Sequence, residues 1–136
     1  MKKFGLSARE KIKSRKDFEE LYSKGTILFS STKKIKAVYI IDQNSMEPGV
    51  KISVAIGHKS GNAVWRNRVK RLLRESFRLN KHIIIKKAED FSLLIRIIFS
   101  PYSINMRKNK NIYLNDIMPD VIDVMSRISI NVKCGE

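Results

Sequence analysis

The sequence predicts an α+β fold with the element order helix, three strands, helix, strand, helix, and three observations carry that reading. Two runs rich in β-branched and aromatic residues, "KIKAVYIID" and "KISVAIG", lie either side of the turn-prone "QNSMEPG". Both "GNAVWRNRVKRLLRESFR" and the segment from Ile117 to Ile128 repeat apolar residues at helical spacing. The run "FSLLIRIIFS" is almost continuously apolar, as a strand covered on both faces must be.

Taken in order, residues 1–13 form a basic arm, expected to stay extended and flexible until an anion orders it. A short helix follows from Ser14 to Gly25. Ser14 is its N-cap, Asp17 completes a capping box, and Gly25 ends it. Phe18, Leu21 and Tyr22 share one face of that helix. "TILFS" is a short strand, and the two β-branched runs after it are expected to pair as antiparallel neighbours. Asn62 caps the next helix, which nothing interrupts until about Asn80. Phe91 to Ser100 then forms the strand expected at the sheet centre. In the last helix Ile117, Val121, Val124, Met125 and Ile128 form the apolar stripe, with Pro119 early enough to fit a first turn.

A chain of 136 residues with 43% hydrophobic content can bury one core without staples, so a single domain, 1–136, is expected. Cys134 is the one cysteine, which excludes an internal disulfide and suits a reducing compartment, here the cytoplasm. The basic N-terminus lacks the apolar stretch of a signal peptide, and no run approaches a membrane span. With 28 Lys and Arg against 13 Asp and Glu, the net charge is +15. Such a field draws polyanions, nucleic acid before an anionic membrane.

The charge is concentrated between Gly61 and Arg78, where six cations face one carboxylate, Glu75. Helical geometry puts Trp65, Val69, Leu72, Leu73 and Ser76 on one side and Asn67, Lys70, Arg71, Arg74 and Arg78 on the other, flanked by Arg66 and Arg68. A solvated helix face would explain mixed charge. Like charges three and four apart instead repel by a few tenths of a kcal/mol per pair, and an external anion relieves them. Five of the six are arginines, whose planar fork takes two phosphate oxygens at once.

These residues resemble the protein subunit of bacterial ribonuclease P. The Arg66-Asn67-Arg68 core followed by Lys70-Arg71 is similar to that family's signature helix. Upstream, "EKIKSRKDFEELYSKG" resembles its first helix, and "VKISVAIGHKSGNAV" its third strand and following loop, so the likeness runs through about the first 80 residues. The resemblance implies a four-stranded mixed sheet with three helices in the order αβββαβα and a left-handed βαβ crossover. It implies an endoribonuclease holoenzyme that removes the 5′ leader from precursor tRNA, with the RNA subunit performing catalysis and requiring Mg²⁺. The protein would bind the ribonuclease P RNA through Lys59, Asn62, Arg66, Asn67, Arg68, Lys70, Arg71 and Arg74, and lower the Mg²⁺ requirement. Phe18, Tyr22, Ala37 and Tyr39 would line the cleft for the single-stranded leader. Ribonuclease P RNA and precursor tRNA are thus the implied partners, with no membrane and no obligate protein partner. The chain departs from the pattern at Gly57-His58-Lys59, where the family shows Ser-Lys-Lys, and in the segments 80–90 and 101–113.

No catalytic or metal-ligating residue is predicted in the chain itself. Asp116, Asp120 and Asp123 are a candidate carboxylate cluster, read as a hydrated helix face, and His58 and His82 lack evident partners. Two other classes fit the basic helix less well. A structural, ribosomal-type RNA-binding protein would bind RNA with no effect on tRNA processing. A major-groove DNA reader would need a preceding helix spaced for a helix-turn-helix.

Overall fold

The apolar run that begins at Phe91 takes the central place its composition demands. In the computed structural model, which describes residues 10–12 and 14–134 (only the backbone for 133 and 134), it forms β4 (Leu94–Pro101). The other strands are β1 (Thr26–Phe29), β2 (Ile35–Asp42) and β3 (Gly49–Val54), and the order across the sheet is β1-β2-β4-β3. β2 runs antiparallel to β1 and to β4, while β3 is parallel to β4. The helices are α1 (Arg15–Lys24), α2 (Ala63–Asn80), α3 (His82–Asp90) and α4 (Leu114–Cys134). The class is α+β with a mixed four-stranded sheet, as expected.

Two expectations are corrected. β2 and β3 are not neighbours, because β4 lies between them. A strand buried from Ile95 through Phe99 needs a partner on each edge, and that need outranks closeness in sequence. The parallel β3–β4 pair in turn requires a long crossover, which α2 and α3 supply. The second correction is α3, a fourth helix. Lys81 keeps helical dihedrals, φ −61° and ψ −23°, so the chain turns without a break and buries Ile84 and Ala88.

The sheet has two different faces. One carries Ile35, Ala37, Tyr39, Ile52, Ile97 and Phe99 into the main core beneath α2, α3 and α4. Val121, Val124, Met125 and Ile128 of α4 are fully buried there, each worth about 1.5–3 kcal/mol at most. The other face carries Val38 and Ile98, covered by Leu21 and Phe18 of α1 and by Ile12. Most of the basic arm lies outside the described residues. Its last part is docked rather than free: Ile12 N–H donates to the Ile52 carbonyl at 2.9 Å, and Glu10 pairs with Lys81 at 2.9 Å.

α1 is capped by Ser14 Oγ, which accepts from Lys16 N–H at 3.2 Å. The capping box is not completed, because Asp17 is drawn to Arg96. This arginine points from the centre of the α1-side sheet face, only 7% exposed, and pairs with Asp17 at 2.8 Å, Glu20 at 2.7 Å and Asp42 at 3.0 Å. A buried guanidinium outcompetes a backbone N–H that water can satisfy. Its hydrogen bond and charge hold the Glu20 carboxyl below the ordinary range.

The reading of Asp116, Asp120 and Asp123 as a hydrated face holds for the exposed Asp116 and is corrected for the other two. Asp120 is 6% exposed and accepts from Ser30 Oγ at 2.6 Å and from the Thr32 hydroxyl. Asp123 accepts from Ser31 N–H at 2.8 Å and pairs with Arg127 at 3.3 Å, while Asp116 accepts from Tyr113 N–H at 2.8 Å at the start of α4. Asp120 and Asp123 thus fasten the β1–β2 turn to α4. Burial opposes charge on Asp123, but the two Ser31 donors and Arg127 outweigh it and lower its pKa. Its stabilisation is therefore complete above the unfolded carboxyl value of about 4 and disappears as pH falls through the lower folded value. Urea midpoints should show Asp123→Asn less stable than wild type at pH 7, with the gap closing as pH falls below about 4. A constant gap would refute the assignment.

Candidate nucleic-acid interface

The basic helix α2 is positioned by its own start. A short helical turn, His58–Ser60, leads through Gly61 to Asn62, whose Oδ1 accepts from Trp65 N–H at 2.9 Å. Trp65, Val69, Leu73, Ser76 and Phe77 are buried, so the apolar stripe faces the sheet as its spacing requires. Asn67, Arg71 and Arg74 are exposed, and Arg66, Arg68 and Lys70 are half-buried beside them. Arg78, at the far end, pairs with Glu75, the one carboxylate of the helix.

Two of the arginines are oriented by main-chain oxygens. Arg66 Nε donates to the Gly61 carbonyl at 3.1 Å, and Arg68 Nε to the Ile112 carbonyl at 2.7 Å. Arg68 also stands 5.5 Å from the centroid of the Tyr113 ring, a cation–π distance. Both bonds use Nε, which leaves the Nη pair of each fork for an anion. The eight residues predicted for RNA-subunit binding all lie on α2 or the turn before it. Lys59 and Asn62 are exposed there, Asn62 with its Oδ1 engaged in the cap.

The four residues predicted for the leader cleft are not brought together. Tyr22 is 59% exposed and Phe18 is half-buried, both on α1. Ala37 is fully buried and Tyr39 is 6% exposed, on the opposite sheet face under α4. The Tyr39 hydroxyl accepts from Asn131 Nδ2 at 2.9 Å, and the ring borders a cavity of about 620 Å³ lined also by Lys24, Phe91 and Leu93. Side chains alternate along a strand, so the β2 positions on the α1 side are Lys36, Val38 and Ile40.

The open part of that face holds aromatic groups that the sequence reading missed. Phe29 and Tyr102 meet edge to face, centroids 4.7 Å apart, with Ile27 and Tyr102 each more than half exposed and Lys36 between their strands. Alternation in "TILFS" marks Ile27 and Phe29 as one face, but only the register shows which face lies open. Among the described residues, no group of three or more His, Cys, Asp or Glu side chains is placed to share an ion.

A mixed α+β sheet that presents an arginine-rich helix with almost no internal counter-charge defines a small polyanion-binding protein. Residues 6–112 match the protein family described as Ribonuclease P. The chain belongs to that family. It is 32% identical to the ribonuclease P protein component of Bacillus velezensis over 91 residues, covering 67% of this chain and 73% of that protein. With the component from Clostridioides difficile the identity is 30% over 121 residues, 89% of this chain and 93% of the relative. The fold is similar to that of the RNase P protein from Thermotoga maritima, at 20% identity and a TM-score of 0.68, covering 88% of this chain and 97% of that one.

Proposed function

We propose that this chain is the protein component of a bacterial ribonuclease P, acting in the cytoplasm as the accessory subunit of an RNA enzyme that removes the 5′ leader of precursor tRNA. The carrying observation is the arginine face of α2, exposed at Arg71 and Arg74 and oriented by carbonyls at Arg66 and Arg68. That face binds the RNA subunit. Among the described residues no helix is long and apolar enough to cross a membrane.

Among the described residues, the carboxylates that come together do not suit a resident metal ion. Asp17, Glu20 and Asp42 are tied to Arg96, and Asp120 and Asp123 to the β1–β2 turn. Mg²⁺ is accordingly assigned to the RNA, and the protein's part is electrostatic. Its cations offset phosphate repulsion between RNA subunit and substrate, so less Mg²⁺ suffices. The leader lies across α1 and the open sheet face, where Tyr22, Phe29 and Tyr102 offer rings to unpaired bases beside Lys36.

The test is precursor-tRNA cleavage by a bacterial ribonuclease P RNA at low Mg²⁺ and moderate salt, with and without the chain. Rescue is expected; cleavage by the isolated chain, or no gain for the RNA, would overturn the proposal. Tyr22→Ala should weaken binding of leader-bearing substrate by about 1–3 kcal/mol, as the loss of one stacked base does, and leave leaderless tRNA unaffected. RNA binding without rescue would favour a purely structural RNA-binding role.

A further inference from the structure

We propose that the connection between β4 and α4, from Tyr102 to Asn111, is a second RNA-backbone wall that grips phosphates beside the α2 face. This rests on the reading of the chain as the partner of a structured RNA and extends its footprint to a segment outside the signature helix. The connection carries Arg107, Lys108 and Lys110, all exposed, with no ion pair to any described residue. Arg107 and Lys110 line a groove of about 650 Å³ with Lys59, Ser60, Gly61 and Asn105, and no carboxylate borders it.

The backbone that carries these cations is held in place. Asn105 builds a closed turn, its carbonyl accepting from Asn109 N–H at 2.8 Å and its Oδ1 from Lys108 N–H at 3.0 Å. Met106 N–H donates to the Ser60 carbonyl at 2.7 Å, and Trp65 Nε1 donates to the Asn109 carbonyl at 2.9 Å. A Cβ on Gly61 would stand 2.8 Å from Met106 Cβ, so the bare backbone at 61 is what lets the connection close on the start of α2. Bracing three like charges beside a fourth stores repulsion that a freely solvated loop would shed. A polyanion of regular spacing relieves it.

Continuity with α2 selects that polyanion. Arg66 belongs to the α2 face and donates to the carbonyl of Gly61, which lines the groove, so groove and helix adjoin. Asp116 lines the adjoining recess, where Lys34, Lys108 and Lys110 outnumber it. An acidic protein segment would match the charge but not the phosphate-binding helix it must continue along.

The experiment measures binding of a bacterial ribonuclease P RNA to the full chain against salt, for wild type, Arg107→Gln/Lys110→Gln, and Lys33→Gln/Lys86→Gln, which removes the same charge from exposed sites elsewhere. Each phosphate neutralised contributes about fivefold at roughly 0.15 M salt, so the connection variant should bind between about 5- and 30-fold more weakly, with a salt slope shallower by about 1–2. The Lys33/Lys86 variant should change both far less. Equal losses in the two variants would reduce the effect to bulk charge and overturn the proposal. Undiminished binding by the connection variant, with Arg71→Ala/Arg74→Ala impaired, would overturn it while leaving the proposed function standing. A wild type that does not bind this RNA would sink both.

Discussion

Replacing Arg71 and Arg74 together with Ala should lower affinity for ribonuclease P RNA by about two to four orders of magnitude, since each charge-assisted bond to phosphate is worth roughly 1.5–3 kcal/mol. The fold should not weaken. Both side chains are exposed and make no ion pair with described residues, because Glu75, four positions after Arg71, is taken by Arg78. Arg71 lies three positions from Arg68 and from Arg74, and Arg74 lies four from Lys70, so truncation removes repulsion of a few tenths of a kcal/mol per pair. Affinity and stability should therefore move in opposite directions, which a merely structural role for these residues would not produce. Filter binding at fixed salt with a thermal melt of the free protein reads both. Affinity within about threefold of wild type would remove α2 from the interface. The Arg66→Ala/Arg68→Ala pair is a less clean probe, since those side chains also brace Gly61 and Ile112.

What the sequence disclosed follows from how far each signal reaches along the chain. The Asn62 cap, the buried stripe of α2 and the doubly covered β4 are written within a few residues, and the structure repeats them. Strand order is not local. The turn between β2 and β3 suggested adjacency, but where each strand sits was decided by β4, some forty residues downstream of β3. α3 escaped notice because a helix that resumes through one helical lysine shows neither a stop nor a fresh cap. The residues predicted for RNA-subunit binding fall together because α2 and the turn before it carry them all. Those predicted for the leader do not, because they join a helix to a strand, and one residue of register separates Val38, facing α1, from Tyr39, facing α4. Asp120 likewise looked like a solvent residue because its partner, Ser30, is 90 positions away.

Gly25→Ala should be among the most damaging single methyl groups that can be added to this protein, at about 2–4 kcal/mol from overpacking and a lost backbone hydrogen bond. Dihedral preference is not the reason, since φ −70° and ψ 154° suit any residue. Space is. The added Cβ would lie 2.5 Å from Val38 Cγ1 and closer still to the Leu21 carbonyl oxygen, which already accepts from Gly25 N–H at 2.8 Å. α1 would have to lift from β2, withdrawing Leu21 from Val38 and Ile98 and loosening the Arg96 pairs with Asp17 and Glu20. At roughly 3–5 °C per kcal/mol for a chain of this size, the melting temperature should fall by about 6–20 °C. Gly57→Ala is the control: with φ −66° and no atom nearer than Ser60 Oγ at 3.9 Å, it should be neutral or stabilising by up to about 1 kcal/mol. Because α1 and α2 cover opposite sheet faces, the Gly25 variant should still bind the RNA subunit below its melting temperature while losing preference for leader-bearing substrate. A melt within 2 °C of wild type would mean α1 is not pressed against the sheet. Parallel loss of RNA-subunit binding would mean the two faces do not act separately.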